Sequence, residues 1–94
     1  MLPFPKKNAD QIREFLKEND PDAILFDDMD AALVGVAKQF TNHLAVYDYE
    51  KSVEVFMKQG MDREGAIEWI EFNVIGAYLG EHTPVFINNW DDEE

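Results

Sequence analysis

Asp27, Asp28 and Asp30 fall within four residues of one another, and closely spaced carboxylates are what hard cations such as Ca²⁺ and Mg²⁺ bind. A calcium loop, however, spreads its ligands over alternate positions of a longer loop around a central glycine. Here Met29 intervenes and Ala31-Ala32 follow, so the three acids read as a solvated turn and cap. His43 and His82 are the only histidines. With Asp28 or Glu81 they offer zinc-type donors, but the spacing fits no ligand motif, and neither a metal nor another cofactor is expected. Ser52 is the only serine and lies in a predicted helix with no glycine elbow around it, which argues against a serine nucleophile. Gly76 and Gly80 read as a helix glycine and a cap rather than a phosphate loop. Cysteine is absent, which removes thiol catalysis, disulfides and cysteine-ligated metals, and fits a reducing compartment. These residues predict a chain with no catalytic constellation, hence not an enzyme.

Partner binding offers more. Glu64, Glu68 and Glu71 recur at i, i+4 and i+7, one strip of a helix: the wet side of an amphipathic element, or a docking face for a basic partner. Asn73 and Gly76 are out of place in an apolar helix, where both lower helix propensity. A structural role accounts for them first, with Gly76 permitting close approach of a neighbouring element and Asn73 bonding a neighbouring backbone; a binding surface is the second reading. Trp69 is expected in the core. Trp90, beyond the last predicted strand, is either an anchor for the C-terminus or an exposed aromatic for a partner. Glu64, Glu68, Glu71, Asn73, Glu81 and Trp90 are thus the candidate partner-binding residues.

The charge balance supports a protein partner over a nucleic acid. The 94 residues carry 20 acids against 8 bases, a net charge of −12. Phosphate backbones and anionic membranes would repel such a surface. The last base is Arg63; from Glu64 onward there are eight acids and none. Hydrophobic residues at 46% and aromatics at 13% suffice for a core and argue against disorder. No apolar run is long enough to cross a bilayer, and the opening MLPFPKKNAD lacks the apolar stretch of a signal peptide. A cytoplasmic location is expected.

These residues need a scaffold. Asn8 caps a helix over about 9–18, with Gln11 completing a capping box and Ile12, Phe15 and Leu16 as its stripe. Asn19-Asp20-Pro21 ends it. After a turn or short helix through the aspartates, 33–40 is a strand with Val34, Val36 and Phe40 on one face and Leu33, Ala37 and Gln39 on the other. Gly35 leaves room for something packed close. Thr41-Asn42-His43 turns the chain into an antiparallel strand over 44–47. Asp48 caps a helix over 49–59, with Tyr49, Val53, Phe56 and Met57 as its stripe and Gly60 past its end. Asp62 caps another, with Met61 stapling against Ala66. That helix runs from Arg63 to about Leu79, apolar around most of its girth, with Ile67, Ile70, Val74 and Tyr78 on one stripe, Trp69, Phe72, Ile75 and Leu79 beside it and Gly80 as its C-cap; it is expected to be central and covered on more than one side. A third strand follows over 83–88. The order helix, strand, strand, helix, helix, strand is that of a two-layer α+β domain over 1–90, a three-stranded antiparallel-type sheet covered by helices. Residues 91–94 form an acidic tail.

The stretch from Phe26 to Ile87 resembles a family of small acidic proteins encoded in bacteriophage and prophage genomes. An acidic turn precedes an alanine–hydrophobic–glycine strand (Asp27, Asp28, Asp30, Gly35), VYDYEK spans Val46 to Lys51, and the most specific segment, EFNVIGAYLGEHTPVFI, spans Glu71 to Ile87. The resemblance covers about residues 23–87. It implies phage origin and expression in a bacterial cytoplasm, and it implies no reaction.

The expected function is therefore that of a non-enzymatic phage accessory protein that binds a host or phage protein with a basic surface, as an inhibitor of a defence or nucleic-acid-binding protein in its most specific form. A DNA mimic is the sharpest version. Duplex DNA presents about one charge per 1.7 Å, and a mimic needs acids arrayed on one face. A small structural protein that self-associates through its last helix, as a homodimer, is the second class; a metal enzyme using the Asp27–Asp30 turn is the third.

Overall fold

A computed structural model describes residues 9–88. The chain runs α1 (Ala9–Asn19), a 3₁₀ turn (Asp30–Ala32), β1 (Leu33–Gln39), β2 (Asn42–Asp48), α2 (Tyr49–Lys58), α3 (Arg63–Ile70), a π-helical turn (Glu71–Ile75) and β3 (Val85–Ile87). This is the α+β order read from the sequence. The sheet order is β1-β2-β3.

The sheet is mixed rather than antiparallel throughout. β1 and β2 form an antiparallel hairpin, but β3 lies parallel to β2, with Val46 opposite Val85, Tyr47 opposite Phe86 and Asp48 opposite Ile87. A parallel neighbour needs a crossover connection, and α2, α3 and the π-turn supply it. Central β2 is consequently buried from Leu44 through Asp48, the continuous burial of a strand covered on both faces.

Two details of the hairpin depart from simple alternation. Leu33 pairs with Tyr47 but Gly35 with Val46, so Val34 is an extra residue in a β-bulge. The bulge resets the phase, and Leu33 and Val36 both pack into the same core, where alternation had put them on opposite faces. A Cβ on Gly35 would meet nothing within 4 Å, so this glycine marks the bulge and not a close approach. The reversal itself is the two-residue turn Phe40-Thr41 between paired Gln39 and Asn42, one residue earlier than expected. Phe40 takes φ 56° and is 91% exposed.

Two apolar clusters hold the elements together. The first joins Ile12 and Leu16 of α1 to Met29, Ala32, Leu33, Ala45 and Tyr47. The second joins Val53 of α2 to Ala66, Ile70 and Val74. Phe26, Phe56 and Phe86 pack against both. The Tyr47 ring lies 5.4 Å from Phe26 and 5.6 Å from Phe86, and its hydroxyl accepts the Phe26 N–H at 2.9 Å. Burial pushes this phenol's pKa up.

The helix ends follow their capping residues. Asp48 accepts from the Lys51 N–H and Asp62 from the Gly65 N–H, satisfying donors that have no partner within the helix. Gly60 closes α2 at φ 113°, a conformation that disfavours any side chain. Met61 packs into the cluster containing Ala66, as a staple would. Arg63 forks onto Glu50 at 2.6 and 3.0 Å; this pair joins α3 to α2 but is half exposed and adds little stability.

The expected helix from Arg63 to Leu79 is interrupted. α3 ends at Ile70, and the Gly76 N–H reaches back five residues to the Glu71 carbonyl at 3.0 Å. A Cβ on Gly76 would stand 2.7 Å from that carbonyl oxygen. The glycine therefore allows the π-turn to close on itself, where the sequence suggested approach of another element. Gly80, at φ 104°, serves a turn with Thr83 rather than a helix end: Thr83 donates its N–H and its hydroxyl to the Gly80 carbonyl.

Candidate functional site

The 69–79 segment buries one side and exposes most of its remaining apolar residues. Ile70 and Val74 point inward and are buried, Ile70 completely. The remaining apolar residues do not find cover. Phe72 is 78% exposed and Tyr78 80%, while Trp69, Ile75 and Leu79 are each exposed by more than a third. Trp69, read as core, touches Phe56 only at 6.4 Å between ring centroids. Tyr78, read as buried, projects from the coil that follows the π-turn. The expectation of a helix covered on several sides thus fails for its outer half, because a chain leaving helical geometry at Gly76 no longer carries residues 77–79 along the buried stripe.

Acids border this surface. Glu64 and Glu68 are exposed on α3 and Glu71 opens the π-turn, so the strip keeps the phase read from its spacing. The Glu71 carboxylate accepts the Tyr49 hydroxyl at 2.9 Å; burial first, and then this bond, raise the tyrosine's pKa. Asn73 is exposed and does not bond a neighbouring backbone among the described residues. Trp90 and the acids of 91–94 lie outside the described residues, as does Asn8.

An open groove of about 600 Å³ lies between the hairpin turn and the chain leading into β3, with Tyr78 on its wall. Phe40, Leu44, Tyr78, Glu81 and Val85 line it. Leu44 reaches it from the face of β2 opposite to Ala45 and Tyr47, by the alternation of a strand. Glu81 is held at its edge by Asn42, whose Nδ2 donates at 3.3 Å.

The candidate chemical residues resolve differently. Asp30 is taken by Arg13, whose Nε and Nη2 donate to Oδ1 at 3.0 and 2.7 Å; this bond raises the guanidinium's pKa. Asp27 and Asp28 are an exposed turn, with Asp28 at φ 64°. Ser52 is buried and donates to the Asp48 carbonyl, a structural contact. His82 does meet a carboxylate, but that of Asp20 at 3.2 Å, and not Asp28 or Glu81. His43 donates its backbone N–H to the same carboxylate at 2.9 Å. Asp22 stands beside them, so that Asp20, Asp22 and His82 each bring a donor atom within 4.8 Å of the others. Sequence reasoning treated Asp20 only as a helix terminator; its neighbour in space lies far along the chain, and no local spacing signals it.

Comparison with protein-family models, with curated protein sequences and with solved structures found no match. Among the described residues no helix is long and apolar enough to cross a membrane.

Proposed function

We propose that this chain is a non-enzymatic binding protein that takes up another protein on the surface formed by Trp69, Phe72, Ile75, Tyr78 and Leu79 and the adjoining groove. The observation that carries the reading is the exposure of Phe72 and Tyr78, at 78% and 80%, on a segment whose other side is fixed by buried Ile70 and Val74. Large aromatics on a preorganised backbone are the usual anchors of protein interfaces, because ordering them costs little entropy. Several large apolar side chains exposed along one segment of a small domain mark such a site.

Charge selects the occupant. Glu64, Glu68 and Glu71 border the surface, Glu81 edges the groove, and the chain carries a net charge of −12. A second identical copy would bring equal charge against equal charge, whereas a basic partner is steered in and held at the rim. This favours heterologous binding over the homodimer. Three acids along one short helix are too few to reproduce the charge ladder of a duplex, so this strip does not by itself carry the DNA-mimic reading. The setting of a phage accessory protein acting on a host protein in the bacterial cytoplasm rests on the resemblance of residues 23–87.

Capture from a bacterial lysate on the immobilised chain tests the reading. Wild type is expected to retain a basic protein that elutes as salt rises, through screening of the rim. The double variant Phe72→Ser/Tyr78→Ser is expected to lose it while keeping the wild-type melting temperature, since both side chains already face water. Equal capture by the two proteins would remove this surface from consideration.

A further inference from the structure

The end of α1 and the turn before β3 converge on Asp20. The donor atoms of Asp20, Asp22 and His82 lie within 4.8 Å of one another, although His82 comes from the far end of the fold. We propose that these three side chains bind one divalent cation of the zinc class, with the remaining coordination position open to water or a ligand.

The donor set points to that class. One imidazole nitrogen with two carboxylates suits zinc and its first-row neighbours, whereas Ca²⁺ and Mg²⁺ take oxygen alone. The spacing agrees. Two ligands each about 2.0–2.1 Å from a tetrahedral zinc stand about 3.3 Å apart, and Nε2 of His82 lies 3.2 Å from Oδ1 of Asp20.

The first ligand is already oriented. Oδ2 of Asp20 accepts the His43 N–H at 2.9 Å, leaving Oδ1 turned to His82. Such outer contacts fix and tune metal ligands. Side-chain solvent exposure is 13% for Asp20 and 20% for His82, so a cation there would be partly withdrawn from water.

A second observation comes from His43 itself. Its Nδ1 is shut off from solvent and is the buried side-chain polar atom without a partner among the described residues. Its ring sits edge-on against Phe15 at 5.6 Å. Buried polar atoms are normally satisfied, and this one belongs to the residue whose backbone N–H orients Asp20. The proposal stands apart from the partner surface, because neither Asp20 nor Asp22 contributes to it.

Calorimetric titration of the metal-free full chain with Zn²⁺ at neutral pH tests the site, with Mg²⁺ as comparator. One equivalent of Zn²⁺ is expected to bind saturably and to raise the melting temperature, and Mg²⁺ to do neither. Asp22→Asn, at an exposed position, is expected to melt like the metal-free wild type and to bind Zn²⁺ at least about tenfold more weakly. His82→Gln is expected to abolish saturable binding. Absence of saturable Zn²⁺ binding in the wild type overturns the proposal. So does wild-type affinity in Asp22→Asn and His82→Gln, which would place the cation elsewhere among the acids.

Discussion

Ile70→Asp leaves the chain unfolded at 25 °C. Ile70 is fully buried in the cluster with Val53, Ala66 and Val74, where α2, α3 and the π-turn meet. Removing the side chain forfeits about 2–5 kcal/mol of packing. Placing a carboxyl there adds several kcal/mol more, whether the group stays charged or takes up a proton. Together these match the whole stability of a small domain, about 5–15 kcal/mol. Glu68→Lys, two residues earlier on the exposed strip, is expected to change the melting temperature by no more than a few degrees. Circular dichroism during thermal melting checks both. A cooperative, wild-type-like transition for Ile70→Asp would mean that the helix phase is wrong.

Tyr47→Ala produces the second large loss, about 3–5 kcal/mol. The ring is fully buried, is flanked by Phe26 and Phe86, and sits where β3 pairs with β2. Tyr47→Phe separates the ring from its hydroxyl. It keeps the aromatic contacts but strands the Phe26 N–H that the hydroxyl now satisfies, which costs about 1–3 kcal/mol. Denaturant titration is expected to rank wild type above Tyr47→Phe and Tyr47→Phe well above Tyr47→Ala. Equal stability of Tyr47→Phe and Tyr47→Ala would show that the ring packs nothing.

What the sequence revealed and what it hid follow from range. Asp48, Asp62 and Gly60 act within three or four residues of where they stand, and their capping roles were legible from type and position. The strip Glu64, Glu68, Glu71 and the inward phase of Ile70 and Val74 follow from helical periodicity and hold. The direction of β3 was not legible, because a strand of three residues pairs with β2 across two intervening helices and its own sequence carries no sign of parallel or antiparallel pairing. The bulge at Val34 was hidden for a related reason: Gly35 fits an ordinary strand, a bulge and a close approach equally well. Asn73 and Gly76 were recognised as anomalous in a helix, but propensity alone does not say that the chain turns into a π-turn and takes Tyr78 off the buried stripe. That departure converts an expected core helix into the candidate docking surface. The grouping of Asp20 and Asp22 with His82 depends wholly on tertiary structure.

Hydrogen–deuterium exchange on the complex with the captured protein tests the docking surface most directly. The backbone of residues 77–80, beyond the helical hydrogen bonding of α3 and the π-turn, is expected to exchange faster than that of α3 in the free chain. On binding, protection is expected to appear across 71–80 and at the hairpin turn around Phe40, with α1 unchanged. Protection confined to α1 and β1, with 71–80 exchanging as in the free chain, would place the partner on another face and contradict the account.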